Sequence, residues 1–260
     1  MIGIIGGSGL YEIEGVVTKE IKNVMTPFGA PSDFYRIGEI SGREIVFLPR
    51  HGSKHNIPPH RINYRANIWG FKELGAERII SIGAAGGISP ELEPGTIIVP
   101  DQIIDMTTAR DATFFEGEEG VFHVDLTDPY CSELRESFLA SGKKSGIELK
   151  KSGTYICTSG PRLETKAEIT FFSQIGADVV GMTAMPEAAL AREAELCYGG
   201  ISVVTNYAAG LQKQKLTATE VVEMMSRAVG RLKILLKGAF DLIPFERTCT
   251  CKEALTKAKI

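Results

Sequence analysis

The chain reads as a single α/β domain built on a mixed, largely parallel β-sheet flanked by helices. Three observations predict this. Short apolar, β-rich runs alternate with helix-like segments from end to end. The chain opens on Met1-Ile2-Gly3-Ile4-Ile5-Gly6-Gly7-Ser8-Gly9, an apolar strand running into a glycine-rich turn. Several later strands also end abruptly in polar or small residues, which is where open α/β sheets place ligands.

The opening turn is not a dinucleotide fingerprint, because Glu12 stands where the third glycine belongs, and there is no Gly-Lys-Ser/Thr phosphate loop. Its backbone N–H groups and the Ser8 hydroxyl suit a phosphate-sized anion; a simple tight turn is the alternative. Glu44 to Pro49 reads as a strand ending in Arg50-His51-Gly52, with Arg50 suited to a bidentate oxyanion contact. His55 and His60 follow without an acidic partner at metal spacing, which argues against a zinc site there. Pro58-Pro59 precede a helix from Arg61 to about Gly75. Arg78 to Ile82 is a short strand, followed by Gly83-Ala84-Ala85-Gly86-Gly87, small enough for close backbone approach to a ligand.

Residues 95–130 read as loop-rich and polar, with Phe114-Phe115 and a lone His123. Tyr155-Ile156-Cys157 leads into Thr158-Ser159-Gly160-Pro161-Arg162-Leu163-Glu164, and Thr165-x-x-Glu168 has the form of a capping box. Glu164 then sits at a helix mouth, as a dipole-compensating charge or as an acceptor for a ligand N–H. Asp178 to Gly181 is a strand ending in Met182-Thr183, and a helix opens near Pro186 with Glu187 in its first turn. Ile201 to Val204 is a buried strand followed by Thr205-Asn206-Tyr207-Ala208. Asn206 either caps a turn or offers a carboxamide at a pocket floor. Thr217-x-x-Glu220 is a second capping box, starting a helix to about Leu236 whose first turns carry Ala218, Val221 and Val222. Residues 1–245 form the domain, and 246–260 a tail with Cys249-x-Cys251: a strained disulfide, a terminal staple or two free thiols.

The 260 residues are 43% hydrophobic, with a net charge of −3 and a mean hydropathy of +0.02. Such a composition fits a globular protein and disfavours nucleic acid or an anionic membrane as partner. No apolar stretch reaches membrane-spanning length and no signal-peptide pattern opens the chain, so a cytoplasmic location is expected.

Taken together, Gly-Gly-Ser-Gly at 6–9, Pro-Arg-His-Gly at 49–52, Asn-Tyr-Arg-Ala-Asn-Ile-Trp at 63–69, Gly-Pro-Arg-Leu-Glu-Thr at 160–165 and Gly-Met-Thr-Ala-Met-Pro-Glu at 181–187 resemble the purine nucleoside phosphorylase and methylthioadenosine phosphorylase family. The resemblance runs from Ile2 to about Leu236 in matching order. It implies the nucleoside phosphorylase fold and reversible phosphorolysis, with inorganic phosphate as co-substrate and no metal or organic cofactor. By resemblance the phosphate site comprises Ser8, Arg50, His51, Gly83, the Ala84 backbone and Thr183. Gly83 replaces a threonine of some relatives, so one hydroxyl is missing there. Met182 would pack on the ribose, with Leu163, Glu164, Asn206, Tyr207 and Ala208 around the nucleoside; Asn206 and His51 are the catalytic candidates. His55 lies near the 5′ substituent, and His123 would reach that pocket from a neighbouring subunit of a homotrimer or dimer of trimers.

Two departures bear on substrate. The adenine-cleaving branch carries Asp where this chain has Asn206, and lacks an acid where it has Glu164. A Glu164/Asn206 pair suits 6-oxopurines, since a carboxylate accepts from the N1–H that adenine lacks. Where inosine- and guanosine-cleaving relatives usually place a histidine for the 5′-hydroxyl, this chain has Ala218, with Val221 and Val222 beyond it. A 6-oxopurine with an apolar 5′ group is 5′-methylthioinosine. Kept beside this reading are a general inosine/guanosine phosphorylase, a methylthioadenosine phosphorylase and a nucleoside-binding protein without catalysis.

Overall fold

The computed structural model describes residues 1–7, 17–212 and 217–260; the side chains of Val17 and Ala218 fall outside the description. The elements in chain order are β1 (Ile2–Gly6), β2 (Val17–Lys22), β3 (Tyr35–Ile40), β4 (Arg43–Pro49), α1 (Tyr64–Glu73), β5 (Arg78–Gly87), β6 (Ile97–Ile98), β7 (Gln102–Met106), α2 (Ser132–Ser145), β8 (Leu149–Lys150), β9 (Thr154–Thr158), α3 (Lys166–Gln174), β10 (Val179–Gly181), α4 (Ala184–Glu193), β11 (Cys197–Tyr207) and α5 (Ala218–Leu242). Among the described residues the strands form one sheet, ordered β2-β3-β4-β1-β5-β10-β9-β7, with β11 on β5 and the short β6 and β8 beyond it.

The period-two alternation of the strands divides the core. Ile2, Ile4, Ile45 and Phe47 face one side, packing with Leu134 and Phe138 of α2 and with Met225, Leu232 and Phe240 of α5. Ile5, Val46 and Leu48 face the other, against Ile68 and Phe71 of α1 and Leu190 of α4. No described helix is long and apolar enough to cross a membrane.

Several boundaries differ from the sequence reading. The helix expected from Arg61 starts at Tyr64: Pro59–Arg61 form a separate 3-10 turn, and the Asn63 side chain caps α1 by accepting from Ala66 N–H. The loop expected over 95–130 contains β6 and β7, and α5 continues to Leu242. Both capping boxes form, at Thr165/Glu168 and at Thr217/Glu220.

The largest difference positions the site. The strand expected to stop at Ile82 runs on through Gly83–Gly87, because β11 pairs with it from Arg78 to Gly87 and pairing overrides the poor strand propensity of glycine and alanine. β11 thus occupies one whole edge of β5. The other edge is shared: β1 covers Arg78–Ile82 in parallel, and β10 covers Gly86 and Gly87 antiparallel. Between them, residues 83–85 have no strand neighbour on that edge among the described residues. A sheet that splits between a parallel and an antiparallel neighbour leaves a crevice beyond its strand ends, where α/β folds place ligands. Asn206, expected just past a strand, lies within β11, which bulges at Thr205 and continues to Tyr207.

Candidate active site

A cleft of about 410 Å³ opens over this gap, lined by Gly7 from the end of β1, by Gly83–Gly86 and by Asn206. Gly7 has to be glycine: a Cβ there would lie 2.7 Å from the Ile82 carbonyl oxygen and 2.9 Å from Arg50 Nη1. Arg50 and His51 follow β4 into the same space, and Thr183 and Met182 enter it ahead of α4.

Arg50 is 1% exposed. Its Nε donates to Glu187 Oε1 at 2.5 Å, its Nη2 to Glu187 Oε2 at 3.1 Å and to Ser81 Oγ at 2.6 Å, and its Nη1 to the Ile82 carbonyl at 3.2 Å. A guanidinium has five N–H groups, so among the described residues one, on Nη1, is left for a ligand at the Gly7 and Gly83 wall. Glu187, fully buried, also accepts from Ser81 Oγ at 3.0 Å and Tyr198 OH at 2.8 Å. Burial works against the Arg50 charge, but the Glu187 carboxylate outweighs it and holds the guanidinium above its ordinary pKa.

His51 is neutral. Burial, then the adjacent Arg50 charge, lowers its pKa to about 4. Its Nδ1 lies 2.8 Å from the Ile57 carbonyl oxygen, which can only accept, so Nδ1 carries the proton and Nε2 is left as an acceptor. Thr183 is the N-cap of α4, yet its hydroxyl caps nothing in the helix. Met185, two residues on, is extended and donates its N–H to Cys157 Sγ, so regular helix begins only at Pro186. The Thr183 hydroxyl lies at the cleft wall, hydrogen-bonded to the Tyr155 side chain.

At the other end of the cleft, Glu164 immediately precedes the capped start of α3. Its Oε1 accepts from the Thr158 hydroxyl at 2.8 Å, leaving Oε2 open among the described residues. Arg110 fixes the approach to this segment by donating to the carbonyls of Ser159 at 2.8 Å and Met185 at 2.5 Å. The Asn206 carboxamide is oriented on both sides. Thr205 Oγ1 donates to Oδ1 at 2.8 Å, and Nδ2 donates to the Tyr207 carbonyl at 2.9 Å. One Nδ2 N–H and one Oδ1 lone pair remain.

Of the residues singled out from sequence, Arg50, His51, His55, Gly83, Ala84, Leu163, Glu164, Met182, Thr183, Asn206, Ala208 and Val221 line this cleft. Tyr207 does not line it. Val222 does not either: it is 50% exposed, turned about 100° away from Val221 on α5. His123 is exposed and outside its own chain's cleft, with its backbone N–H bonded to the Ala258 carbonyl in the tail. Ser8 and the Ala218 side chain lie outside the described residues. Sequence reasoning gave no role to Glu187, Ser81 or Tyr198. The available signal was one carboxylate in the apolar run Ala184–Leu190, a turn after Thr183.

The sequence profile of the phosphorylase superfamily matches residues 1–241. The chain belongs to that superfamily. It is 51% identical over 257 residues to a probable S-methyl-5′-thioinosine phosphorylase of Thermodesulfovibrio yellowstonii, covering 99% of this chain and 96% of the relative. It is 49% identical over 263 residues to a probable 6-oxopurine nucleoside phosphorylase of Thermococcus kodakarensis, covering 99% and 98%. Among solved structures, methylthioadenosine phosphorylase from Schistosoma mansoni in complex with adenine superposes with a TM-score of 0.95 at 31% identity, covering 99% and 98%. The chain is therefore a nucleoside phosphorylase, a pentosyltransferase of α/β fold.

Two expectations follow. Glu187→Gln leaves the Arg50 charge buried without its counter-ion and should lower unfolding free energy by about 3–5 kcal/mol. Phosphate, which restores a counter-charge, should raise the variant's Tm more than the wild type's; equal shifts would show that Arg50 does not face the anion. Because the folded-state pKa of His51 is about 4 against 6.5 for the free imidazole, its contribution to stability is complete above pH 6.5 and lost as pH falls toward 4. Denaturant unfolding across that window should show a flatter pH slope for His51→Gln than for the wild type.

Proposed function

We propose that the chain catalyses reversible phosphorolysis of 6-oxopurine nucleosides, with S-methyl-5′-thioinosine preferred, yielding hypoxanthine and S-methyl-5-thioribose 1-phosphate. The observation that carries this is the presence of Glu164 and Asn206 in one cleft, the first with an open carboxylate oxygen, the second with a spare N–H. A 6-oxopurine offers the complement: N1–H donates to Glu164, while O6 accepts the one free N–H of Asn206. Adenine presents a bare N1 and a 6-amino group, so each contact would be reversed or lost, at about 1–3 kcal/mol per unpaired buried group.

The chemistry follows from what surrounds the two ends of the cleft. Phosphate would sit against residues 83–85 of β5, between Thr183 and the remaining Nη1–H of Arg50. There an oxygen bonds to C1′ as the C1′–N9 bond breaks, and the bond's electron pair leaves with the purine. Positive charge on the sugar faces the phosphate, and negative charge on the base faces the Asn206 N–H. The departing base takes its proton from solvent, and the open Oδ1 lone pair of Asn206 can accept from N7 once it is protonated. Placement and fixed dipoles supply the rate, and phosphate is both nucleophile and counter-charge, so the reaction calls for no metal or organic cofactor. Neutral His51 supplies an acceptor for a ribose hydroxyl or a protonated phosphate oxygen.

Beside His55, Val221 and Ile57 give the cleft an apolar stretch suited to a methylthio group. The name of the Thermodesulfovibrio relative supports this choice. A second reading, general inosine and guanosine cleavage, is favoured by the His55 imidazole in the same cleft and by the name of the Thermococcus relative. We further propose a cytoplasmic homotrimer or dimer of trimers. Five free thiols suit a reducing compartment, and Leu163 at the cleft is 49% exposed, apolar surface for a neighbour to cover. A His123 remote from its own cleft is available to that neighbour.

Glu164→Gln should reduce kcat/KM for S-methyl-5′-thioinosine by roughly 10- to 100-fold, the rate equivalent of about 1–3 kcal/mol. Asn206→Asp should move preference toward S-methyl-5′-thioadenosine. Unchanged discrimination in both variants would remove the base-recognition argument, and base release independent of phosphate would remove phosphorolysis itself.

A further inference from the structure

Four of the five cysteines, scattered along the sequence, meet at one point. The sulfurs of Cys131, Cys197, Cys249 and Cys251 all lie within 4.8 Å of one another. Cys197 Sγ is 3.3 Å from Cys249 Sγ, and its thiol also hydrogen-bonds Cys131 and Cys251. The thiols therefore share a centre rather than forming two separate pairs. Four thiolates around a zinc ion, at Zn–S of about 2.3 Å, stand about 3.8 Å apart, which falls within the observed cluster.

The surroundings suit a thiolate-bound cation. Cys131 is the N-cap of the 14-residue helix α2, so the positive end of that helix faces the cluster and favours ionised sulfur. Arg78 is the register partner of Cys197 on the adjacent parallel strand and is 2% exposed. Among the described residues its buried Nε and Nη2 lack hydrogen-bond partners, with Glu133 Oε2 3.6 Å from Nη2. A second shell of positive charge is thus in place beside a ligand set that becomes anionic when loaded. The tail is held in position: Glu133 Oε1 accepts from the backbone N–H of Thr248 at 2.7 Å and of Cys249 at 2.8 Å.

We propose that Cys131, Cys197, Cys249 and Cys251 form a structural zinc site that fastens the C-terminal segment to the base of the sheet. Four protein ligands close the coordination sphere and leave no position for substrate, so the ion is structural. It sits where β11 begins, and Asn206 lies nine residues further along that strand, about 30 Å away. Zinc loading and phosphorolysis are therefore separable.

The test is metal analysis of the full chain purified with a phosphine reductant, together with cobalt(II) reconstitution of the metal-stripped protein. One zinc per chain is expected, with cobalt giving intense thiolate-to-metal charge-transfer bands and the visible bands of a tetrahedral ion. Cys249→Ser and Cys251→Ser should each lose the bound metal and lower Tm while kcat/KM is retained. The wild-type cobalt spectrum decides the matter should either variant fail to fold. Protein that holds no zinc and takes up no cobalt would overturn the proposal. So would four sulfurs found as two disulfides by mass and thiol titration, or metal retained in both variants.

Discussion

The Arg50–Glu187 ion pair is the constraint on which the site depends. Arg50 leaves the end of β4, Glu187 belongs to α4, Ser81 to β5 and Tyr198 to β11, and all four side chains meet in one buried hydrogen-bonded cluster. The cost of desolvating both charges is offset only because every oxygen and nearly every N–H is satisfied. What the arrangement secures is geometry: four elements are locked together around the mouth of the gap in β5, with one N–H left facing it.

Charge balance at that gap follows from the same pair. Glu187 neutralises Arg50, and His51 is kept neutral by burial and by Arg50 itself. On the proposed function, the cleft would receive phosphate through single oriented N–H groups rather than through excess positive charge. Preorganised dipoles need no rearrangement as charge moves from phosphate to sugar to base.

Much of this was legible in the sequence wherever a short apolar run stopped at a polar residue, because such punctuation is local. Arg50, His51, Glu164, Met182, Thr183 and Asn206 were found that way, and all line the cleft. What was missed is non-local. Glu187 is 137 residues from Arg50, and nothing near it in sequence announces a partner. Gly83–Gly87 look like a loop until β11 pairs with them. β6 and β8 are two residues each, too short to leave a periodic pattern. Val221 and Val222 read alike in sequence, yet helical geometry allows only one of them to face the cleft. The C-x-C pair suggested a strained disulfide, a staple or two free thiols, whereas the sulfurs that cluster with it come from far upstream, at Cys131 and Cys197.

The most direct measurement is phosphate-dependent kcat/KM of the wild-type protein for S-methyl-5′-thioinosine, inosine, guanosine and S-methyl-5′-thioadenosine, compared side by side. Base recognition by Glu164 and Asn206 and an apolar 5′ stretch at Val221 together place S-methyl-5′-thioinosine first, by tenfold or more, about 1.4 kcal/mol of transition-state discrimination. Inosine and guanosine cleaved equally well would leave the base contacts standing and contradict the 5′ assignment. S-methyl-5′-thioadenosine cleaved fastest would contradict the roles given to Glu164 and Asn206.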